Sequence, residues 1–442
     1  MEKVITLVSL IVSFIISICS KSNIGLGITL AILLILIYGL QKGYQLKDLV
    51  DGGCLNAKKS FLVIKIFILV GAISATWIVS GTIPGIVYYG IKFINPKFFY
   101  LCCFLITSIM SFLIGSSFGT VSTIGIAMMA VGRGLEIDVG IAAGAIIAGA
   151  FFGDRCSPVS SSASLVATLT DTELYQNIKK MFKTGTIPFI CASLMYLLIK
   201  VDSNKVMGDN ILSKELIENF NLSFFVFLPV LIILLCALLK VNVKISMSVS
   251  ICAALLVALL FQKSSIIYAI KSLFWGYELD KEIALKNILK GGGIISMWKA
   301  SYIILISCFF SGIVEKIKLF EPMKQILSKT KNKLVVYIST VFVSIVTCMF
   351  GCNQSIAIVM TVDIMKDIYK NKNISNDNFA LDIEDTAVVI APLIPWNIAG
   401  YIPAMVMLEI TTFRYIPYGF YLYFLPIYVL LTNIFSKNKN LN

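Results

Sequence analysis

The chain has 442 residues, 58% of them hydrophobic and 14% charged, with a mean hydropathy of +0.90. An ordinary soluble fold is about half apolar and a quarter charged, so this balance leaves too few polar residues to coat a globule of this size. The formal charge of +13 comes with no histidine at all, which excludes imidazole metal sites, Ser-His-Asp catalysis and histidine-based pH sensing.

The reading is therefore an all-α polytopic protein of the cell membrane, bacterial inner or plasma membrane, with the lipid bilayer as its solvent. At about 20 apolar residues per span, the length holds roughly ten to thirteen membrane segments and no sizeable soluble domain. The basic excess reads as a topology signal from cytoplasmic loops, not as a nucleic-acid surface. Without histidine, a proton carried near neutral pH rides mainly on Asp or Glu. The eleven cysteines include no CxxC pair and read as small apolar fillers.

Apolar stretches fall near 4–19, 24–40, 61–83, 98–114, 119–131, 139–152, 186–199, 222–239, 245–262, 301–314, 334–350, 354–365, 387–410 and 418–435. The first resembles a leader, with Lys3 ahead of an apolar run, but the second follows at once and the two read as a helical hairpin. The shorter stretches cluster in two regions, where Gly, Pro, Ser or Asn interrupt them. That is the pattern of discontinuous helices.

An internal repeat runs through the chain. Leu46-Lys47-Asp48-Leu49-Val50-Asp51-Gly52-Gly53 matches Leu285-Lys286-Asn287-Ile288-Leu289-Lys290-Gly291-Gly292 at an offset of 239. Downstream, Gly115-Ser116-Ser117 pairs with Gly351-Cys352-Asn353-Gln354 at 236, and Ser157-Pro158-Val159 with Ala391-Pro392-Leu393 at 234. The halves read as about 46–165 and 285–400, joined by connecting spans over 186–262, within one transmembrane transporter domain over 1–442.

Loop charge favours inversion of one half relative to the other. Segments 41–60 and 315–333 are both lysine-rich, yet the first precedes its span and the second follows the equivalent one. A consistent count puts both termini inside, with ten crossings and two re-entrant hairpins bent near Asp154–Ser162 and Pro392–Asn397. The loops at 263–300 and 366–382 then lie outside despite their lysines, and read as interfacial amphipathic helices.

Four polar interruptions coincide with the repeat: Gly115-Ser116-Ser117-Phe118-Gly119-Thr120; Gly153-Asp154 through Ser157, Ser160, Ser161 and Ser162; Gly351-Cys352-Asn353-Gln354-Ser355; and Glu384-Asp385 leading to Pro392 and Asn397. Backbone groups freed inside the hydrocarbon layer cost several kcal/mol each unless they are buried in protein or line a wet cavity, so four breaks imply a central cavity. Freed carbonyls, hydroxyls and amides there could hold a cation, and half-helix N-termini an anionic group. The plain alternative for the glycines is close helix packing, since Gly115xxxGly119, Gly140xxxGly144 and Gly149xxxGly153 have the small-residue spacing.

The acids separate these readings better, because ionisable residues within a membrane are expensive and usually mark ion or proton pathways. Asp154, Glu384 and Asp385 are the candidates for Na⁺ or H⁺, with Asp154 the first choice for Na⁺. A carboxylate that binds one or the other but not both is enough to couple their exchange. The alternatives are an Asp154–Arg155 ion pair at an interfacial turn and a solvated hairpin mouth for Glu384 and Asp385. Trp77 reads as packing, and Lys65 and Lys299 as snorkelling residues near span ends.

These pieces together resemble the NhaC-type Na⁺/H⁺ antiporters of the ion-transporter superfamily. The resemblance covers most of the chain and rests on Ala75-Thr76-Trp77 with Gly81-Thr82-Ile83-Pro84 and Tyr88-Tyr89-Gly90, and on Gly115-Ser116-Ser117 with Thr123-Ile124-Gly125. Phe152-Gly153-Asp154-Arg155-Cys156-Ser157-Pro158 and Glu384-Asp385 with Pro392-Leu393-Ile394-Pro395-Trp396-Asn397 are its most specific parts. It implies a secondary transporter with a central site between inverted halves, commonly exchanging Na⁺ for H⁺, with some relatives carrying amino or organic acids. The chain departs from the family pattern twice. Ser161 stands where the family has an acid, and Asn353 where an Asp often precedes the Gln.

The first reading is a Na⁺/H⁺ antiporter with Asp154 as principal carboxyl and Asp385 as its partner. Ser116, Ser117, Thr120, Ser157, Ser160, Ser161, Asn353, Gln354 and Asn397 are the coordinating candidates. The second is a Na⁺- or H⁺-coupled transporter of small amino or organic acids on the same architecture. No cofactor is implied beyond the transported ions, and a homo-oligomer is left open. A membrane enzyme lacks support, with neither histidine nor a nucleophile elbow.

Overall fold

The computed structural model describes residues 24–201, 209–239, 241–278, 289, 292–327, 333–408 and 414–439. The expected apolar run at 4–19 lies outside these residues, as does most of the second copy of the repeat's opening motif at 285–292.

Every regular element among the described residues is a helix. The N-terminal part contains α1 (Ile24–Gln41), α2 (Leu46–Val79), α3 (Thr82–Phe93), α4 (Phe99–Ile114), α5 (Ser117–Thr120), α6 (Ile126–Gly134), α7 (Val139–Cys156) and α8 (Ser161–Leu169). The middle contains α9 (Leu174–Leu198), α10 (Asp209–Asn219), α11 (Leu228–Leu238), α12 (Val243–Leu260) and α13 (Ile266–Trp275). Then come α14 (Trp298–Lys316), α15 (Glu321–Leu327), α16 (Lys333–Gly351), α17 (Gln354–Asn371), α18 (Asn376–Glu384), α19 (Ala387–Ile390), α20 (Ile398–Leu408) and α21 (Phe420–Lys439).

Among the described residues, six helices are long and apolar enough to cross a bilayer, and up to nine spans result if each of three bent pairs counts as one. The chain is a multi-pass integral membrane protein. Three further apolar helices, Gly25–Gln41, Ile266–Trp275 and Phe420–Phe435, are shorter than a full span, and the run at 4–19 lies outside the described residues, so the number among them is lower than the ten to thirteen expected from length. One bend was not foreseen: Ile64–Val79 and Thr82–Phe93 meet at 69° across Ser80-Gly81. Gly81 has φ +77, and Thr82 Oγ1 donates to the Val226 carbonyl at 2.7 Å, which pins the far arm. Trp77 just before it is buried and donates its Nε1 to Ser250 Oγ at 3.0 Å, a packing role.

Two close helix pairings frame the interior. α2 packs along α14, where Gly52 and Gly312 bring the backbones together and Asn56 Nδ2 donates to Glu315 Oε2 at 2.9 Å. α4 packs along α7. There a Cβ on Gly149 or Gly153 would run into the Phe104 or Ser108 carbonyl, and Ser111 Oγ donates to the Ala150 carbonyl at 2.5 Å. The Gly149xxxGly153 spacing thus serves close packing, driven by van der Waals contact as expected for helices in lipid. Through it, α7 is buried almost continuously from Gly140 to Cys156.

Two breaks share one backbone solution. After α4, Gly115 turns left-handed at φ 68 and Ser116 extends at φ -154 before α5 starts. After α16, Cys352 turns left-handed at φ 52 and Asn353 extends at φ -144 before α17. Each extended residue caps the next helix: Ser116 Oγ accepts the Gly119 amide at 3.2 Å, and Asn353 Oδ1 accepts the Ser355 amide at 2.9 Å. Backbone conformation therefore aligns Gly115 with Cys352 and Ser116 with Asn353, one residue away from the register suggested by matching Gly115 to Gly351. The left-handed turn comes after the last helical residue, and in the second break a cysteine accepts it.

Candidate functional site

Asp154 lies near the C-terminal end of α7 and is 5% exposed. The helix stops at Cys156 because Ser157 turns extended ahead of Pro158, and the chain re-enters a helix at Ser161 with Ser160 as its cap. That turn swings Ser160 back, so that its Oγ donates to Asp154 Oδ1 at 2.8 Å and lies 2.9 Å from Ser162 Oγ. From the other side Ser117, the first residue of α5, donates to Asp154 Oδ2 at 3.0 Å. One buried carboxyl therefore joins two helix breaks, within a shell of oxygen atoms of the kind that suits a hard cation.

Asp154 is not paired with its neighbour Arg155. The wholly buried Arg155 guanidinium points the other way and forms an ion pair with Asp385 at the C-terminus of α18. It also donates to the Met181 carbonyl at 3.1 Å, Tyr421 Oη at 3.2 Å and Thr184 Oγ1 at 3.0 Å. The Oδ2 of Asp385 has no hydrogen-bond partner among the described residues. Glu384, equally buried, has none for either oxygen, and lies within electrostatic reach of Arg155, Asp154 and Asp385. Neither acid sits at a solvated mouth.

The neutral candidates divide. Ser117 and Ser160 reach Asp154. The Oγ of Ser157 is buried but donates to the Phe112 carbonyl at 2.7 Å, and Thr120 Oγ1 donates to the Ser116 carbonyl at 3.0 Å. Gln354 Nε2 donates to the Val388 carbonyl at 3.2 Å, tying α17 to α19. Asn397 is fully buried and braces the last break, donating to the Cys348 carbonyl at 2.8 Å and accepting the Ala399 amide at 2.9 Å. Ser116 and Ser161 line a neighbouring cavity of about 330 Å³.

Sequence reasoning passed over three contributors. Asp382 precedes Asp385 by one helical turn, a spacing that sets both on one face of α18, and accepts a hydrogen bond from Tyr369 Oη at 2.7 Å. Thr386 Oγ1 donates to the Asp382 carbonyl at 2.6 Å and accepts from Ser344 at 2.9 Å. Arg155 was seen only as a partner for Asp154. As one of three arginines in the chain, set between apolar stretches, it carried a signal of its own.

The sequence profile of the Na⁺/H⁺ antiporter family matches residues 149–437, which takes in Asp154, Arg155 and the whole Glu384–Asn397 region. The chain belongs to the Na⁺/H⁺ antiporter family. Similar proteins run nearly end to end with it. The malate-2H⁺/Na⁺-lactate antiporter of Bacillus subtilis (strain 168) is 29% identical over 87% of this chain and 83% of its own. The Na⁺/H⁺ antiporter NhaC of the same organism is 29% identical over 92% of this chain and 91% of its own. The arginine/ornithine antiporter ArcD of Halobacterium salinarum is 26% identical over 88% and 82%. This member is thus an NhaC-type antiporter by family, among relatives named for inorganic and organic substrates.

Proposed function

We propose that this antiporter exchanges Na⁺ for H⁺ by alternating access, with Asp154 as the carboxyl for which the two ions compete. The observation that carries the reading is Asp154 itself, sealed from solvent and held by Ser117 and Ser160 from two separate helix breaks. A Na⁺ ion would sit against the carboxylate and the surrounding hydroxyl oxygens; a proton would neutralise the same group and remove the reason for the ion to stay. A bare carboxylate enclosed in the membrane is costly, so the closed state between the two access directions favours a loaded carboxyl. Glu384 offers a second carboxyl within electrostatic reach, and Arg155 compensates Asp385.

Movement in this reading takes place between two inverted repeats, about 46–165 and 285–400, with re-entrant hairpins near the breaks after Asp154 and Pro392. The shared backbone conformation at Gly115 and Cys352 supports it. The test is Na⁺-dependent proton movement in everted vesicles containing wild type or Asp154→Asn. Loss of flux with normal expression is the expected result; full flux in the variant rules out the assignment.

A second reading, in which a small amino or organic acid moves with the ions, is supported by Ser161. It replaces an acid of the family pattern, and its place on the cavity wall leaves that wall without the carboxylate.

A further inference from the structure

The cavity of about 330 Å³ beside Asp154 is bounded by Gly115 and Ser116 at the first break, Ser161 at the second, Thr123, and the opening of α12 at Asn242 and Lys244. Its size is at the lower end of small-ligand sites. Among the described residues lining it there is no Asp or Glu, and the one charged side chain is Lys244. That lysine is half-buried and makes no ion pair among the described residues.

A chamber meant only for Na⁺ on its way to Asp154 would be expected to carry negative charge. This one is lined by the positive charge of Lys244 and by the hydroxyls of Ser116, Thr123 and Ser161, and lies one residue away from both serines that bind Asp154: Ser116 adjoins Ser117, and Ser161 adjoins Ser160. We infer that this cavity is a subsite for a small organic carboxylate, with Lys244 as its counter-charge and Ser116 and Ser161 as hydroxyl donors. The inference rests on Asp154 being the ion site, because the lining serines Ser116 and Ser161 are the chain neighbours of the two serines that hold the coupled ion's carboxylate. The anion's charge favours a cation at Asp154, and the cation favours the anion, so each tightens the binding of the other. The lysine also separates this chamber from a cation path, since a positively charged amine of similar size meets Lys244 with no acid on the wall to offset it.

The experiment uses the full chain reconstituted in vesicles of phosphatidylcholine alone, so that no anionic lipid competes. Labelled lactate and malate are the probes under an imposed Na⁺ gradient, and thermal unfolding of the detergent-purified protein with lactate, malate or inorganic phosphate reports binding independently. Wild type is expected to take up at least one carboxylate in a Na⁺-dependent way and to be protected by it more than by phosphate. Lys244→Gln should raise the half-saturating carboxylate concentration roughly 10- to 100-fold, as loss of a charged hydrogen-bonding partner does, while Lys244→Arg keeps most of the affinity. Na⁺/H⁺ exchange measured without carboxylate should persist in both variants. Undiminished uptake in Lys244→Gln overturns the inference, as does equal protection by phosphate, or active Na⁺/H⁺ exchange with neither uptake of nor protection by either carboxylate. Failure of the underlying ion-site reading looks different: Lys244-dependent protection by carboxylate with no Na⁺-dependent proton movement in wild type.

Discussion

Arg155 and Asp385 stand 230 positions apart in the chain and form an ion pair in which both side chains are wholly buried. The pair ties the C-terminal end of α7 to the C-terminal end of α18, and thereby fixes how the segment carrying Asp154 sits against the segment carrying Glu384. Long-range polar ties of this kind cost desolvation, and they are worth most when both partners are present and further hydrogen bonds satisfy them. Here Met181, Thr184 and Tyr421 provide that surrounding support.

Removing one partner should therefore be far worse than removing both. Arg155→Met leaves the Asp385 carboxylate uncompensated and is expected to cost about 3–5 kcal/mol, whereas Arg155→Met with Asp385→Leu recovers most of that loss. Thermal unfolding in detergent reads both. A single variant as stable as wild type would mean that the pair does not hold the two segments together.

Glu384 presents the opposite case, an enclosed carboxyl whose two oxygens find no hydrogen-bond partner among the described residues. A group kept at a cost to stability and near Asp154 is the mark of a functional acid. Glu384→Leu should leave the melting temperature unchanged or raise it, while lowering Na⁺-dependent proton flux; Glu384→Gln should lower flux without that gain, since its amide stays unsatisfied at a cost of about 1–3 kcal/mol. Unaltered flux and an unaltered pH profile in both variants would remove Glu384 from the transport site.

Much of this arrangement could be read from the residues alone. Asp154, Glu384 and Asp385 stood out because acids beside apolar runs are expensive, and the breaks at Gly115 and Cys352 because Gly, Ser and Asn clusters interrupt helices. Pairing was not legible in the same way. Arg155 is next to Asp154 in sequence, but successive residues on a helix point about 100° apart, so its guanidinium reaches α18 instead. Ser157 and Asn397 carried the same polar signal as Ser160, yet they brace backbone carbonyls, a distinction set by tertiary direction and not by residue type. The bend at Ser80-Gly81 was hidden because an apolar run continues across it, with only one glycine in the left-handed region.

The depth of Asp154 depends on how closely α7 approaches α4. Gly153 leaves no room for a side chain, since an added Cβ would collide with the Ser108 carbonyl and the Phe112 amide, both fixed backbone. Gly153→Ala is expected to destabilise by about 1–3 kcal/mol through overpacking. It should also reduce transport, because the displacement moves the neighbouring Asp154 away from Ser117. A variant with wild-type melting and flux would show that the pairing yields without disturbing the site. Cys191→Ala, on an exposed residue of α9, serves as the neutral control.

The start of α7 is held by charge, and this gives a pH dependence separate from that of transport. Asp138 caps the helix, accepting the Gly140 amide at 2.7 Å and the Ile141 amide at 3.3 Å, and pairs with Arg414 at 3.0 Å. Partial burial pushes its carboxyl upward, but the Arg414 hydrogen bond and the two amides outweigh this and hold it below the usual carboxylate range. A group whose folded-state pKa is depressed contributes stability that is fully present above the unfolded value, about 3.9, and is lost as pH falls through the folded one. Asp138→Ala should lose about 1 kcal/mol from the cap, with at most a similar amount from the half-exposed ion pair. Asp138→Asn keeps an oxygen for the amides and loses only the charge. The gap in melting temperature between wild type and Asp138→Asn should hold from neutral pH down to about 5 and close below about 4, where the wild-type carboxyl begins to protonate. A gap that persists unchanged into acid would assign the difference to packing around Arg414 and not to the charge on Asp138.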